Sequence, residues 1–224
     1  MMKYTAHVFT FSRFLVVPVF LYMLLGSILT QNYVLKILAA VIFYTYGGLS
    51  DYWDGFYARR YHFVSRFGEF MDPLADKFFT LSTYAAYVCI SIIYVPLWLV
   101  ILIAVREITI TAIRIYNLKS SRPIHAERHG KIKTVLQYVS QGYVLAVLLG
   151  YACIFEFTAY RTVTAQSSHI LFSPESIQNF TAVTGGLFSF ITPFLFYSPF
   201  AVISISAAVT LWSGTLYIRN AIRS

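Results

Sequence analysis

Leu49-Ser50-Asp51-Tyr52-Trp53-Asp54-Gly55-Phe56-Tyr57-Ala58-Arg59, followed by Gly68-Glu69-Phe70-Met71-Asp72-Pro73-Leu74-Ala75-Asp76-Lys77, decides how this chain is read. These two stretches hold all four aspartates of the protein, and they lie at the facing ends of two apolar runs, about 33–57 and 70–93. A membrane-spanning helix needs about 20 mainly apolar residues. Working outward, four more runs of that kind appear at about 8–28, 95–116, 133–157 and 195–218. The pattern predicts an all-α integral membrane bundle of six transmembrane helices forming one domain over residues 1–224. The segment 158–194 is expected to be a long non-cytoplasmic connection. Toward its end, Phe180–Phe196, broken by Gly185, Gly186 and Pro193, is expected to be a re-entrant or interfacial piece leading into the last span.

Composition agrees. The 224 residues are 58% hydrophobic and 12% charged, with a mean hydropathy of +0.66. Soluble domains carry roughly 25% charged residues, so a soluble enzyme, a disordered tail and a secreted disulfide scaffold are all excluded. Aromatic residues reach 18%, which suits contact with both hydrocarbon and headgroups. Cys89 and Cys153 lie in apolar runs and are expected to be small buried residues with no disulfide between them. Arg13 interrupts the first apolar run, and no small-residue cleavage site follows it, so no cleavable signal peptide is expected.

The distribution of cations sets the orientation. With both termini cytoplasmic, 15 of the 17 Lys and Arg residues fall at cytoplasmic segments or adjoining helix ends, and only Lys36 and Arg161 fall toward the other side. The formal charge of +8 thereby becomes a concentrated field facing anionic headgroups and phosphates, with no nucleic acid as partner.

The aspartates run against that background. One Asp deep in a membrane helix costs roughly 2.5–3.5 kcal/mol, and four without compensation would approach ~10 kcal/mol. Asp51 and Asp54 are three apart and Asp72 and Asp76 four apart, so each pair shares a helical face. Two antiparallel neighbouring helices can then turn four carboxylates into one cleft. All-oxygen ligation is the preference of Mg2+ or Mn2+, which makes Asp51, Asp54, Asp72 and Asp76 candidate metal ligands. Gly55 and Ala58, one turn on, leave room for a bulky ligand. The alternative is plain salt bridging to Arg59, Arg60, Arg66 and Lys77.

These residues resemble the signature of the CDP-alcohol phosphotransferases, D-x2-D-G-x2-A-R-x8-G-x3-D-x3-D, at Asp51, Asp54, Gly55, Ala58, Arg59, Gly68, Asp72 and Asp76. Flanking stretches are similar to the phosphatidylglycerophosphate synthase subfamily: Thr10-Phe-Ser-Arg13, Val17-Pro18-Val-Phe20, Arg106-Glu107-Ile108, Gly130-Lys131-Ile-Lys133-Thr134-Val-Leu-Gln137 and Leu211-Trp-Ser-Gly-Thr-Leu-Tyr217. His7 stands where that subfamily usually has Asn. The resemblance implies a six-helix membrane enzyme, usually a homodimer, in the cell inner membrane with its site facing the cytoplasm. It implies CDP-diacylglycerol and glycerol 3-phosphate as substrates, CMP as leaving group and Mg2+ (or Mn2+) as cofactor. Gly55, Ala58, Arg59 and Gly68 then line the CDP-lipid site.

On the residues themselves, a metal held by the aspartates can bridge a pyrophosphate. Asp76, last in the motif, is the candidate general base for the acceptor hydroxyl. Arg59, at a helix end, can reach donor phosphate. A second phosphate needs its own cations: Arg106 and Arg114 lie near one face of the fourth run, and Lys131 and Lys133 open the fifth. Arg106 is the foremost of these because it lies within an apolar run and needs a partner, and Glu107 can orient it or a neighbour. His62, His125 and His129 are expected to be solvated loop residues. Two alternatives remain open: a sibling transferase with another acceptor, such as a CMP-forming cardiolipin synthase using phosphatidylglycerol, and a cation transporter, since intramembrane carboxylates often mark ion paths.

Overall fold

The computed structural model describes residues 5–26, 33–61, 66–119, 128–161 and 186–223, with side chains described for 13–26, 33–50, 74–113, 132–154, 191 and 193–219. These residues form six α-helices: α1 (Thr5–Leu25), α2 (Tyr33–Tyr61), α3 (Arg66–Val88), α4 (Leu97–Lys119), α5 (Arg128–Arg161) and α6 (Gly186–Arg223). The chain is all-α over its described residues, as the apolar runs predict. Among the described residues, three helices carry a stretch long and apolar enough to cross a membrane: Tyr33–Ser50 of α2, Ile132–Ile154 of α5 and Pro193–Arg219 of α6. At 18, 23 and 27 residues, these stretches rise about 27, 34 and 40 Å, against a hydrocarbon core of about 30 Å. α1 carries a shorter apolar stretch, Arg13–Leu25.

Helix directions follow from contacts between side chains. Phe20 of α1 lies beside Tyr44 of α2, while Arg13 of α1 reaches Ser50, so these two helices run in opposite directions. Along α5, Tyr138 adjoins Gly48 and Gly142 adjoins Tyr44, which sets α2 antiparallel to α5. Asp76 meets Tyr138 and Thr80 meets Gln141, which sets α3 parallel to α5. Trp98 meets Phe200 and Arg106 meets Gly214, so α4 runs with α6. The helices thus alternate in direction, and the start of α1 and the end of α6 lie at one end of the bundle.

Apolar packing fixes the middle of the bundle. Phe20, Tyr44 and Phe79 form a three-ring junction of α1, α2 and α3, with centroids 5.7–6.3 Å apart. Such pairs are worth roughly 0.5–1.5 kcal/mol beyond their buried area. Gly47 makes the junction close: a Cβ there would stand 2.7 Å from Cζ of the fully buried Phe79. The Tyr44 hydroxyl continues across it, donating to the carbonyl of Tyr138 at 2.8 Å and so tying in α5.

Outer and inner faces of α4 and α5 separate at the helical period. On α4, Trp98, Ile101, Val105 and Ile108 point outward, while Leu99, Ile103, Arg106, Glu107 and Ile110 point inward. On α5, Ile132, Val135 and Val139 point outward, and Lys133, Gln137, Ser140 and Gln141 are buried. Apolar surface outside and polar groups inside is the arrangement expected where the surrounding solvent is lipid.

Three features differ from the sequence expectation. The α3–α4 connection begins at Cys89 rather than near Tyr94, because Ile90, Ile92, Ile93 and Val95 fold back as a buried apolar plug, and β-branched residues before Pro96 resist the helical conformation. The stretch from Gly186 onward is continuous helix into α6, despite Pro193 and Pro199. Carbonyls around Pro199 are satisfied from elsewhere: Ser198 Oγ donates to Leu195 O at 3.4 Å, and Tyr94 N–H to Phe196 O at 3.0 Å. Residues 162–185, which include most of the expected connection and Gly185, lie outside the described residues. Cys89 and Cys153 are free thiols, as expected, but both are exposed on the bundle's surface rather than buried.

Gly47→Leu should force Phe79 out of the three-helix junction. The expected outcome is a loss of about 1–3 kcal/mol, measured as a lower unfolding midpoint of the protein in detergent, with Gly48→Ala, whose Cβ would meet only ordinary contact at 3.6 Å, as the near-neutral control.

Candidate active site

The end of the bundle that carries the aspartate motif is the end where charge enters the interior. Asp51, Asp54, Gly55, Ala58 and Arg59 fall on the last turns of α2, and Gly68 and Asp72 on the first turns of α3; their side chains lie outside the described residues. Register still constrains them. α2 and α3 run antiparallel and touch at Gly47 and Phe79. One turn onward on α2 is Asp51, and one turn back on α3 is Asp76. A further turn each way gives Asp54 and Asp72. In backbone register Asp51 therefore falls level with Asp76, and Asp54 with Asp72 one turn beyond, on neighbouring helices; carboxylates are the donors a hard divalent ion prefers. Among the described residues, no three acidic, His or Cys side chains cluster as a metal site.

Asp76 is the one motif carboxylate whose surroundings are described. Its Oδ2 accepts from Lys77 Nζ at 2.7 Å and its Oδ1 from the Tyr138 hydroxyl at 2.9 Å. The salt-bridging alternative is therefore realised for Asp76, in part. A carboxylate offers about four lone-pair sites, so each oxygen retains one for another partner.

Lys77 does not stop at Asp76. Its Nζ lies 3.1 Å from Glu107 Oε2, so one ammonium joins two carboxylates. Glu107 is 1% exposed and receives four donors: Lys77, Arg106 Nη1 at 2.9 Å, Gln137 Nε2 at 3.2 Å, and Lys133. Of the four predicted phosphate-binding cations, Arg106 and Lys133 thus converge on one buried carboxylate. Arg114 on α4 and Lys131 on α5 have side chains outside the described residues. Arg106 passes directly over α6, where a Cβ on Gly214 would stand 2.8 Å from its Nε.

Behind the charges lies a column of hydrogen bonds. Ser140 Oγ donates to Gln137 O at 2.8 Å, so the Tyr84 hydroxyl donates to Ser140 Oγ, also at 2.8 Å. Gln141 Nε2 donates to Thr80 O and Tyr87 donates to Gln141 O, each at 2.8 Å. These bonds fix the height of α5 against α3 and therefore where Lys133 and Tyr138 meet Glu107 and Asp76.

Four participants escape a reading of the sequence as site residues: Lys77, Gln137, Tyr138 and Arg13. Arg13 is 1% exposed, with Nε 3.1 Å from Ser50 Oγ, the residue before Asp51. Its signal was available, since an arginine in an apolar run needs a polar partner. Tyr138 offered none: on α5 it is one of many tyrosines, and only the packing of α3 brings it to Asp76.

The family model for CDP-alcohol phosphatidyltransferase matches residues 3–171. Curated relatives agree. A protein of Bacillus subtilis (strain 168) named CDP-diacylglycerol–glycerol-3-phosphate 3-phosphatidyltransferase is 31% identical over 147 residues, covering 62% of this chain and 74% of the relative. The Mycoplasma pneumoniae protein of the same name is 29% identical over 166 residues, covering 74% and 69%. That of Escherichia coli (strain K12) is 33% identical over 112 residues, covering 48% and 60%.

Tyr138→Phe should remove one charge-assisted hydrogen bond from Asp76 and leave the packing intact. A double-mutant cycle with Asp76→Asn, read by unfolding in detergent, is expected to give a coupling of about 1–3 kcal/mol.

Proposed function

The chain belongs to the CDP-alcohol phosphatidyltransferase family, and from that premise we propose that it is a phosphatidylglycerophosphate synthase, transferring the phosphatidyl group of CDP-diacylglycerol to glycerol 3-phosphate with release of CMP. The observation that carries the choice of acceptor is the buried cluster of Lys77, Arg106 and Lys133 around Glu107, one side chain away from Asp76. Among the described side chains, three cations gather round the carboxylates of Glu107 and Asp76, and such a concentration of cations suits an acceptor that brings its own phosphate. Relatives bearing the name of this activity support the same acceptor.

In the reaction, the acceptor hydroxyl oxygen attacks the phosphatidyl phosphorus, the bond from that phosphorus to the bridging oxygen of CMP breaks, and the hydroxyl proton passes to a base. Asp76 is the base, kept in place by Tyr138 and Lys77 on either oxygen. Arg106, Lys133 and, beyond them, Arg114 and Lys131 hold the acceptor phosphate. Gly55, Ala58, Arg59 and Gly68 line the donor, with Arg59 on its phosphates. Asp51, Asp54, Asp72 and Asp76 would hold a divalent ion, Mg2+ or Mn2+. When bound, that ion supplies electrostatic neutralisation of the pyrophosphate and of the departing CMP.

The alternating helices, and a sequence in which 15 of the 17 cations then belong to one side, support six spans with both termini, and the site, on the cytoplasmic side of the cell inner membrane. Residues 1–224 then form one domain, with 158–194 on the opposite side, and the working form is a homodimer.

Purified protein in detergent with CDP-diacylglycerol and a panel of acceptors tests the proposal. CMP release is expected with glycerol 3-phosphate and not with phosphatidylglycerol or inositol phosphate. It should stop on chelation with EDTA and return with Mg2+ or Mn2+. Asp76→Asn should lower kcat by at least about 100-fold, in the range of a lost general base; retained activity would rule out that role. Lys133→Met should raise KM for glycerol 3-phosphate about tenfold or more, about 1.4 kcal/mol of binding, without changing KM for CDP-diacylglycerol.

A further inference from the structure

We infer that Glu107 is a positioning residue for the acceptor phosphate: a buried carboxylate that gathers cations from three helices into one binding cluster. The inference rests on the proposed glycerol 3-phosphate reading and adds to it the element that assembles the site.

Glu107 is buried and crowded with cations. Its Oε1 takes Arg106, Gln137 and Lys133, its Oε2 takes Lys77, and the residue is 1% exposed. The three cations come from different helices: Lys77 from α3, Arg106 from α4 and Lys133 from α5. Left to themselves they would repel one another and turn toward the nearest water. One carboxylate at their centre holds them together, yet it balances only one of the three charges. Asp76 shares Lys77 with it, while Arg106 and Lys133 both turn to Glu107. Two further contacts confine the arrangement. Gly214 admits Arg106 against α6, where any side chain would meet its Nε. Gln137 donates to the same oxygen as Lys133 and, one turn away on α5, fixes the height at which that lysine arrives. Lys77 bridges Glu107 to Asp76, so the cluster that receives the acceptor's phosphate is tied to the carboxylate that receives its proton. The distance between an acceptor's phosphate and its hydroxyl is thereby matched to a fixed span in the protein.

The test is steady-state kinetics on full-length protein in detergent, varying glycerol 3-phosphate and CDP-diacylglycerol separately, for Glu107→Gln, Glu107→Asp, Lys133→Met and the pair Glu107→Gln with Lys133→Met. Glu107→Gln keeps the size but puts an amide N–H2 among the cations. It is expected to raise KM for glycerol 3-phosphate at least tenfold while KM for CDP-diacylglycerol stays within twofold. Glu107→Asp should recover at least threefold of that loss. Because Glu107 acts through Lys133, adding Lys133→Met to Glu107→Gln should change KM less than twofold further. Size-exclusion elution and the thermal midpoint identify a variant that has failed to fold. If Glu107→Gln does so, Glu107→Asp carries the comparison, with a selective rise in the acceptor KM expected. The inference is overturned if folded variants raise both KM values alike, leave both unchanged, or combine additively with Lys133→Met. Wild-type protein that releases no CMP with glycerol 3-phosphate overturns the functional proposal instead.

Discussion

Ionised groups inside an apolar bundle must be paired or they unfold it, and the arrangement of this protein is organised around that demand. A lone buried carboxylate or ammonium costs several kcal/mol even after relaxation. Glu107 meets the demand with four donors from α3, α4 and α5, and Asp76 meets it with Lys77 and Tyr138. The pairing is possible only if three helices hold one height relative to one another. The Ser140, Gln141, Tyr84 and Tyr87 hydrogen bonds and the Phe20–Tyr44–Phe79 junction provide that alignment.

The same constraint explains why the two ends of the bundle differ. At one end, the plug of Ile90, Ile92, Ile93 and Val95 and the Tyr94, Phe196, Tyr197 and Phe200 rings close the interior with apolar and aromatic packing. At the other, Arg13, Asp76, Lys77, Arg106, Glu107 and Lys133 bring charge inward. Small residues sit where large or charged groups must cross: Gly47 beneath Phe79 and Gly214 beneath Arg106. A transferase that joins a lipid-borne donor to a water-borne phosphate needs this asymmetry, because its substrates arrive from different solvents.

Helix content, the membrane character and the family were legible from residue order alone, because each rests on local spacing. Apolar runs of about 20 residues need only counting, and Asp51, Asp54, Asp72 and Asp76 share faces through the helical period itself. Arg106 and Lys133 were legible as cations in need of an anion. The continuity of α6 through Pro199 was not, since that proline is tolerated through Tyr94 and Ser198, contacts that no local pattern contains. The exposure of Cys89 and Cys153 was equally hidden, because an apolar residue in a lipid-facing bundle has no inside preference to read.

By itself, then, the sequence determined the helices, the aspartate motif and the shared helical face within each of its pairs, all consequences of a period of 3.6 residues and of the cost of charge in hydrocarbon. Only the tertiary structure decided that Lys77 bridges Asp76 to Glu107, that Tyr138 holds the second oxygen of Asp76, and that Arg106 and Lys133 share a buried carboxylate. Each of those contacts joins residues on different helices, or turns two adjacent side chains to a common centre. Their existence depends on helix height and direction, which packing sets and which spacing along the chain does not encode.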